Sequence, residues 1–200
     1  MKEAHMINRR IILASGSPRR HEILTLAHIP HEILTADADE HSIRFEPGRP
    51  EEYVLSIAGL KNAAVCGRLS GESAVVISAD TIVYDPATDS PIGKPKDPAD
   101  ARRILTSLSG GVHLVITGVV IRDTASGRTS QFAEVTEVHF KPLSHEEIDA
   151  YVDSGDPLDK AGAYGMQSGG CIFVERIVGD YFNVIGLPIC RLNEELKQFS

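Results

Sequence analysis

The sequence predicts an α/β protein with a mixed β-sheet flanked by helices, and three observations lead to that fold class. Residues 74–84 form a run of β-branched and apolar side chains that is long enough for a central strand. Strand segments and helical patterns alternate along the chain, which is typical of α/β folds. Residues 114–122 and 131–141 flank a turn at 124–127 and predict a β-hairpin, so the sheet contains an antiparallel pair.

The first half of the chain begins with a strand, a tight turn and a helix. Apolar residues 11–14 are ended by Ser-Gly-Ser-Pro, and residues 19–27 then place apolar side chains on one helical face. A second helical pattern covers about 51–69. These signals predict strand, helix and helix before the central strand.

Capping residues predict the helices of the second half. Asp97 and Pro98 supply an N-cap and a proline at the first helical position for a helix that ends near residue 108. Residues 144–147 match the S-x-x-E capping box and predict a helix to about residue 152. A strand at 172–178 and a helix at about 188–199 complete the chain.

Composition restricts the class of protein. The 200 residues, of which 42% are apolar and 24% charged, suit one folded domain over residues 1–200. No segment has the length and apolar content of a membrane helix, and residues 1–10 lack the apolar core of a signal peptide. The three cysteines are far apart, which favours free thiols in the cytoplasm.

The net charge bears on the partner. A formal charge of -8 argues against a nucleic-acid binder, because affinity for a polyanion comes mostly from Lys and Arg. A small anionic substrate remains compatible with this charge if a local basic cluster, with a metal ion, binds it.

The turn after the first strand is a candidate anion site. Arg19 and Arg20 lie in the first turn of the helix that Pro18 begins, where the helix dipole disfavours cations. Together with the hydroxyls of Ser15 and Ser17 and the backbone N–H groups, they suit a phosphate. The alternative is that both arginines pair with surface carboxylates of this acidic chain. The segment alone leaves both interpretations open.

Asp80 is the most unusual residue of the central strand. A charged side chain among Val, Ile and Ala is costly unless it is paired, hydrogen-bonded or bound to a metal. It is therefore a candidate metal ligand or general base, and the alternative is a buried carboxylate bonded to backbone amides. The neighbouring Thr81 is also compatible with an ordinary β-branched strand residue.

Other polar residues carry weaker signals. Lys94, between Gly93 and Pro95, and Lys61, on the second helix, are candidate phosphate ligands, although single lysines are usually solvated. The acidic patch at 37–40, which includes Glu40, has oxygen ligands for a hard cation such as Mg²⁺ or is simply exposed. His113 begins a strand, and we expect a structural role for it.

The segment 159–170 predicts a binding loop. It combines several glycines with a carboxylate, a lysine, a tyrosine and an amide, which is too rich in functional groups for a passive connection. The amide of Gln167 presents both a donor and an acceptor, as recognition of a uracil or thymine edge requires. Capping of the loop's own backbone is an equally good explanation of that amide.

Seven short motifs, taken together and in this order, resemble the Maf family. They are Leu13-Ala14-Ser15-Gly16-Ser17-Pro18-Arg19-Arg20, Ala79-Asp80-Thr81, Gly93-Lys94-Pro95, Leu108-Ser109-Gly110, His113 with Thr117-Gly118-Val119, Asp159-Lys160-Ala161-Gly162-Ala163-Tyr164-Gly165 and Gly186-Leu187-Pro188. The matching motifs extend from about residue 11 to residue 190. As a set they are highly specific.

The resemblance implies a function. Maf proteins are nucleotide pyrophosphatases that convert a nucleoside triphosphate to the monophosphate and pyrophosphate, on an α/β fold with an elongated mixed sheet, usually as homodimers. Arg20, Thr81 and Gln167 resemble the specificity residues of the branch that acts on dTTP and UTP. The branch that acts on 7-methyl-GTP carries a different loop in place of Ala-Tyr-Gly-x-Gln.

The resemblance also implies roles for single residues. Asp80 would be the proton acceptor and, with Glu40, would bind Mg²⁺ or Mn²⁺. The residues implied to line the phosphate and metal site are Ser15, Arg19, Glu40, Lys61 and Lys94. One departure is that Asn62 follows Lys61 where the family pattern suggests alanine.

Two further functions remain as alternatives to the dTTP/UTP pyrophosphatase. One is a nucleotide-binding regulator of septum formation with little turnover. The other is a purine house-cleaning pyrophosphatase of the inosine triphosphate type, which has the same chemistry without a need for the Arg20, Thr81 and Gln167 combination.

Overall fold

The computed structural model describes residues 9–200, and within them one sheet of seven strands is flanked by helices. The strands are β1 Ile11–Leu13, β2 Glu32–Ile33, β3 Val75–Asp85, β4 Ser90–Ile92, β5 Val112–Asp123, β6 Thr129–Phe140 and β7 Val174–Val178. The helices are α1 Pro18–Leu26, α2 Pro50–Arg68, α3 Pro98–Leu108, α4 His145–Asp153, α5 Tyr181–Ile185 and α6 Ile189–Leu196. None of the helices within 9–200 is long and apolar enough to span a membrane.

The sheet is mixed, as predicted. Its strand order is β2-β1-β3-β5-β6-β7, and β4 pairs with β3 beside this path. Strand β1 is parallel to both β2 and β3, whereas β4 is antiparallel to β3 and β7 is antiparallel to β6. Strands β5 and β6 are neighbours joined by a turn in which Asp123 N–H donates to the Arg128 carbonyl. The predicted hairpin is therefore confirmed.

Contacts divide the described chain into two compact units. The first comprises the residues up to Thr81, Thr117–Glu134 and Gly186–Ser200, and the second comprises Ile82–Ile116 and Val135–Ile185. Each unit has its own buried apolar cluster. The single domain predicted from chain length stays a prediction.

In the first unit, helix α2 lies very close to β5. A Cβ added to Gly118 would come within 2.7 Å of the Val54 carbonyl carbon, so only glycine permits this approach. The buried Asn62 amide donates to the carbonyls of Val76, at 3.0 Å, and Val120, at 3.2 Å. The amide therefore fixes the helix over β3 and β5 at the residue that follows Lys61.

In the second unit, helices α3 and α4 contribute to an apolar cluster that includes Tyr151, Tyr164 and Phe173. The predicted caps of these helices are confirmed. The Asp97 side chain accepts a hydrogen bond from the Asp100 backbone N–H, and Ser144 with Glu147 forms a complete capping box.

Element boundaries depart from the sequence expectations in a few places. The predicted strand at 172–178 begins at Val174, because Gly169–Phe173 forms a 3₁₀ helix. The predicted terminal helix at 188–199 ends at Leu196 and continues as a 3₁₀ turn. Strands β2 and β4 and helix α5 were not predicted, because they have only two, three and five residues. Residues 1–8, most of the stretch used to argue against a signal peptide, lie outside the described residues.

Candidate active site

The first unit brings together predicted site residues from four separate elements. Ser15 follows strand β1, Arg20 lies in α1, Lys61 lies in α2, and Asp80 and Thr81 lie in β3. Parallel pairing of β1 with β3 aligns Leu13 with Ile77, so the chain segments that follow these residues lie at the same edge of the sheet. Glu40 joins them from the short 3₁₀ helix Glu40–Ser42.

Lys61 lies between two carboxylates. Its Nζ is 2.7 Å from Asp80 Oδ1 and 3.1 Å from Glu40 Oε2. The Lys61 and Asp80 side chains are only 18% and 15% exposed, whereas Glu40 is 47% exposed. The charge of Asp80 is therefore balanced by an ammonium group, and the alternative of a carboxylate held by backbone amides is wrong.

The electrostatic field of Asp80 and Glu40 extends to Tyr53, which lies on α2 with Lys61. Burial raises the pKa of the Tyr53 hydroxyl, and the negative charges of Asp80 and Glu40 raise it further. Tyr53 is therefore a neutral hydroxyl at neutral pH, in the field of two carboxylates that, among residues 9–200, form ion pairs only with Lys61.

Arg20 is buried and bonded entirely to neutral oxygens. Its Nε donates to the Gly186 carbonyl at 2.9 Å, Nη1 to Ser15 Oγ at 2.9 Å and Nη2 to Thr81 Oγ1 at 3.0 Å. Desolvation lowers the pKa of the guanidinium, and the charge of Asp80 opposes that shift. The alternative that Arg20 pairs with a surface carboxylate is therefore wrong.

These contacts join three separate sequence motifs through one side chain. Thr81 Oγ1 also lies 2.9 Å from Thr117 Oγ1 and 3.4 Å from the Gly186 carbonyl. Arg20, Thr81 and their neighbours therefore form a fixed polar network, and we refer to Ser15, Arg20, Thr81, Thr117 and Gly186 as the arginine network. Each nitrogen of the Arg20 fork already donates to the protein.

Arg19 and Ser17 differ from Arg20 in exposure. Arg19 is exposed, and it forms no ion pair with any residue between 9 and 200. Ser17 is half-buried, and its backbone N–H donates to Ser15 Oγ at 3.3 Å. Of the two arginines in the first turn of α1, where the helix dipole disfavours cations, Arg19 is therefore the exposed one with no ion pair among residues 9–200.

The other two predicted ligands, Lys94 and Gln167, belong to the second unit, and both are exposed. The backbone N–H of Gly162 donates to the Gly93 carbonyl at 3.1 Å, which joins the loop 159–170 to the segment 93–95. Within residues 9–200 the Gln167 amide forms no hydrogen bond, so backbone capping does not explain it.

His113 has the structural role that the sequence predicts. Its Nε2 lies 2.8 Å from the Tyr164 hydroxyl, and its ring packs edge-on against Phe140. Burial lowers the pKa of His113 from 6.5 to about 4. The ring is therefore neutral at neutral pH and serves as a buried support for the loop that carries Tyr164.

The metal prediction can be examined through its donor atoms. No cluster of three or more His, Cys, Asp or Glu side chains suited to a metal ion occurs in the described part of the chain. Asp80 and Glu40 nevertheless supply two carboxylates that share one ammonium. Two carboxylates suit Mg²⁺, which commonly takes its remaining ligands from water and substrate phosphate. The two carboxylates therefore fit a divalent cation that takes its other ligands from water or phosphate oxygens.

Sequence reasoning assigned no role to Asn62, Thr117 or the Gly186 carbonyl. Asn62 appeared only as a departure from the family pattern, although a buried amide on an apolar helix face was itself a signal. The carbonyl of Gly186 had no side-chain signal, because its contact with Arg20 spans 166 residues.

Comparison with known proteins gives full-length relatives. The Maf-like protein family matches residues 10–199. A dTTP/UTP pyrophosphatase of Alkaliphilus metalliredigens is 50% identical over 94% of this chain and 95% of the relative. A protein of the same name from Bacillus mycoides is also 50% identical, over 96% of both chains.

Solved structures show the same fold at low identity. The Staphylococcus aureus Ham1 protein superposes with a TM-score of 0.52 at 15% identity, over 96% of this chain and all of the other. A HAM1 protein from Coxiella burnetii gives a TM-score of 0.52 at 14% identity, over 95% of this chain and 99% of the other. This likeness concerns the fold alone. Given the family match and the half-identical, full-length relatives, the chain belongs to the Maf family.

Proposed function

We propose that this chain is an enzyme that hydrolyses dTTP and UTP to the nucleoside monophosphate and pyrophosphate. The observation that carries the proposal is the cluster of Lys61 with Asp80 and Glu40, next to the arginine network. Relatives that are 50% and 49% identical over nearly the whole chain are named dTTP/UTP pyrophosphatases, which supports the same substrates here.

Phosphate binding is the role of the first turn and of Lys61. Exposed Arg19 and half-buried Ser17 lie at the N-terminus of α1, where backbone N–H groups and the dipole favour an anion. Lys61 adds a positive charge next to Asp80. In the proposed reaction these cations stabilise the charge that develops on the departing pyrophosphate.

Asp80 is the proposed base. One of its oxygens, Oδ1, accepts a hydrogen bond from Lys61, whereas Oδ2 accepts none from residues 9–200. A water molecule held by Asp80 attacks the α-phosphorus, the bond to the bridging oxygen breaks, and pyrophosphate leaves. The proton of the attacking water passes to the Asp80 carboxylate.

Asp80 and Glu40 would hold a divalent cation, Mg²⁺ or Mn²⁺, together with the triphosphate. When bound, such a cation supplies charge neutralisation for the phosphate oxygens. If this is correct, pyrophosphate release stops in excess EDTA and returns when Mg²⁺ or Mn²⁺ is added. Unchanged turnover in EDTA would contradict the metal requirement.

We assign recognition of the nucleobase to Arg20, Thr81 and Gln167. We assign phosphate binding to Lys94. For Arg20 and Thr81 the arginine network supports a rigid, indirect contribution through the position of Ser15 and Gly186. Gln167, exposed and without a hydrogen bond in the described chain, has its amide available for a uracil or thymine edge. We expect Gln167→Glu to weaken pyrimidine use, and an unchanged preference across a nucleotide panel would contradict this role.

The test of the function is a substrate panel. The pure protein is incubated with Mg²⁺ or Mn²⁺ and each common or modified nucleoside triphosphate, and pyrophosphate is measured. We expect turnover of dTTP and UTP with pyrophosphate, and not orthophosphate, as product. Hydrolysis in ¹⁸O-labelled water adds a check of the attack site, since attack at the α-phosphorus places the label in the monophosphate.

The panel also distinguishes the alternatives. A nucleotide-binding regulator would bind dTTP without releasing pyrophosphate, and a purine house-cleaning enzyme would prefer inosine triphosphate. The names of the relatives favour the pyrimidine substrates, and the likeness to Ham1 proteins speaks only to the fold.

Two further expectations accompany the proposal: a cytoplasmic location and a homodimer. Light scattering of the purified chain at micromolar concentration measures the oligomeric state, with a mass near twice 21.7 kDa expected for the dimer. A mass near that of a single chain at every concentration would contradict it.

A further inference from the structure

A second carboxylate centre, Asp156, lies in the second unit and has no part in the proposed chemistry. Its Oδ2 accepts hydrogen bonds from the Tyr151 hydroxyl at 2.6 Å and from Ser168 Oγ at 2.7 Å. Its Oδ1 accepts from Lys160 Nζ at 3.1 Å, and the same ammonium donates to the Asp156 backbone carbonyl at 2.6 Å. Asp156 therefore joins helix α4 to both ends of the loop 160–168.

The surroundings of Asp156 favour the ionised form of its side chain. Burial alone raises the pKa of Asp156, but hydrogen bonds from Tyr151, Ser168 and Lys160 outweigh it and lower the pKa overall. An ionised carboxylate is an acceptor on both oxygens, which these donors require. Hydrogen bonds to a charged acceptor are also stronger than those between neutral groups.

The loop is closely packed around this centre. A Cβ on Gly165 would lie 2.4 Å from Ser168 Oγ and 2.7 Å from Lys160 Cε. A Cβ on Gly170 would lie 2.9 Å from the Tyr151 hydroxyl oxygen. Both glycines are therefore needed for the loop to reach Asp156, and the loop between them has little room to rearrange.

Gln167 lies inside this closely packed segment. Its neighbour Ser168 is fixed twice, by Asp156 and by its backbone N–H, which donates to the Gly165 carbonyl at 3.3 Å. Gln167 itself has no hydrogen bond among residues 9–200 that would orient it. The position of its backbone, from which the side chain extends, is therefore set through Ser168.

We propose that Asp156 is a positioning residue that, through Ser168, holds the backbone at Gln167 in the position from which its amide reads the uracil or thymine edge. The inference rests on the proposed function, because it concerns the substrate choice of the same enzyme. In this proposal Asp156 touches no substrate; it acts by keeping the backbone at Gln167 in place before the nucleotide binds.

The proposal predicts a loss of discrimination and not only a loss of activity. With Asp156→Asn, an NH₂ group must face either Lys160 or the two hydroxyls, so at least one hydrogen bond is lost. We expect kcat/KM for dTTP to fall about tenfold, mainly through KM, and the preference for dTTP over dCTP to fall by a similar factor. Asp153→Asn, at the exposed C-terminal end of α4, is the matched control and leaves both values unchanged.

The decisive measurement is a double-mutant cycle on the ratio of kcat/KM for dTTP to that for dCTP. If Asp156 acts through Gln167, Asp156→Asn changes the ratio in the wild-type chain and has no further effect in a Gln167→Ala background. A purely structural role would lower kcat/KM equally for both nucleotides and leave the ratio unchanged, which would overturn the proposal. Equal effects on the ratio in both backgrounds would overturn it too.

Two controls keep the result interpretable. If Asp156→Asn does not fold by circular dichroism, Ser168→Ala removes the same contact more mildly, and the same two criteria apply to it. Wild-type protein that releases no pyrophosphate from dTTP or UTP would refute the proposed function itself, before any variant is compared.

Discussion

Two lysines in this chain each lie between two carboxylates, and their surroundings differ. Lys61 contacts Asp80 and Glu40, whereas Lys160 contacts Asp156 and Asp159. The partners of Lys160 are at most four residues away in the sequence. Asp80 is 19 residues from Lys61, so the first cluster exists only after the helix and the strand have packed together.

A more informative difference is the number of hydrogen bonds that the carboxylates of Asp156 and Asp80 accept. Both oxygens of Asp156 are hydrogen-bonded, and Tyr151, Ser168 and Lys160 share them. The Asp80 carboxylate accepts a hydrogen bond only from Lys61 among residues 9–200. A carboxylate with remaining acceptor capacity can bind water, a cation or substrate, whereas a fully bonded one stabilises a loop. Two similar ion-pair clusters are thereby expected to serve different purposes.

The largest effect expected from this comparison is on activity at Lys61. Replacement by Met keeps the apolar stem and removes the charge next to Asp80 and Glu40. We expect kcat/KM for dTTP to fall about a thousandfold, because the charge on the leaving pyrophosphate loses its stabilisation. Steady-state pyrophosphate release measures this, with Lys197→Met, at an exposed pair with Glu194, as the matched control. A loss below about tenfold would mean that the Lys61 cluster is not the reaction centre.

The second effect concerns the buried support of the loop, His113. Its pKa is lowered from 6.5 to about 4 in the folded chain, so the unfolded chain takes up the proton first as the pH falls. Stability from this residue is complete above about pH 6.5 and is lost as the pH falls towards 4. Between these limits the free energy of unfolding should fall by roughly 3 kcal/mol more in the wild type than in His113→Gln.

Urea denaturation at several pH values measures that difference. The comparison is between the pH slopes of the two proteins, since His113→Gln also changes the packing against Phe140 at every pH. Parallel pH profiles for the wild type and the variant would show that His113 does not couple stability to pH.

The third effect is on stability at Lys160. Lys160→Met removes the ammonium that bonds the Asp156 carboxylate and its backbone carbonyl, and leaves the stem beside Gly165. We expect the free energy of unfolding to fall by about 2 kcal/mol, because partly buried acceptors lose a charged donor. Denaturant unfolding of Lys160→Met beside Lys197→Met measures it, and an equal effect in both variants would show that the Lys160 cluster stabilises the chain no more than an exposed ion pair does.

Local signals in the sequence predicted local structure well. The Asp97 cap and the Ser144 to Glu147 capping box were predicted because each involves residues three positions apart. The predicted hairpin of β5 and β6 was confirmed for the same reason, since its turn is contiguous in the chain. The short strand β2 has two exposed residues and depends on its pairing with β1, so its own sequence carried no sufficient signal.

The candidate site was predicted only in part from residue patterns. Asp80 was identified by its own anomaly in an apolar strand, but its partner Lys61 resembled any solvated lysine until the fold placed it 2.7 Å away. The helix-dipole argument drew attention to Arg20, but its burial against the Gly186 carbonyl was not predicted, because that contact joins residues 166 positions apart. Contacts of this length depend on the whole fold, and no local pattern in the sequence predicted them.

The central claim is that the carboxylate of Asp80, left with acceptor capacity beside Lys61, takes part in the reaction. The most direct test is pyrophosphate release from dTTP and UTP by Asp80→Asn, with Asp149→Asn on the surface of α4 as the matched control. We predict that Asp80→Asn folds normally by circular dichroism and loses at least about a thousandfold in kcat, while the control is unaffected. Retained turnover in a folded Asp80→Asn protein would contradict the account.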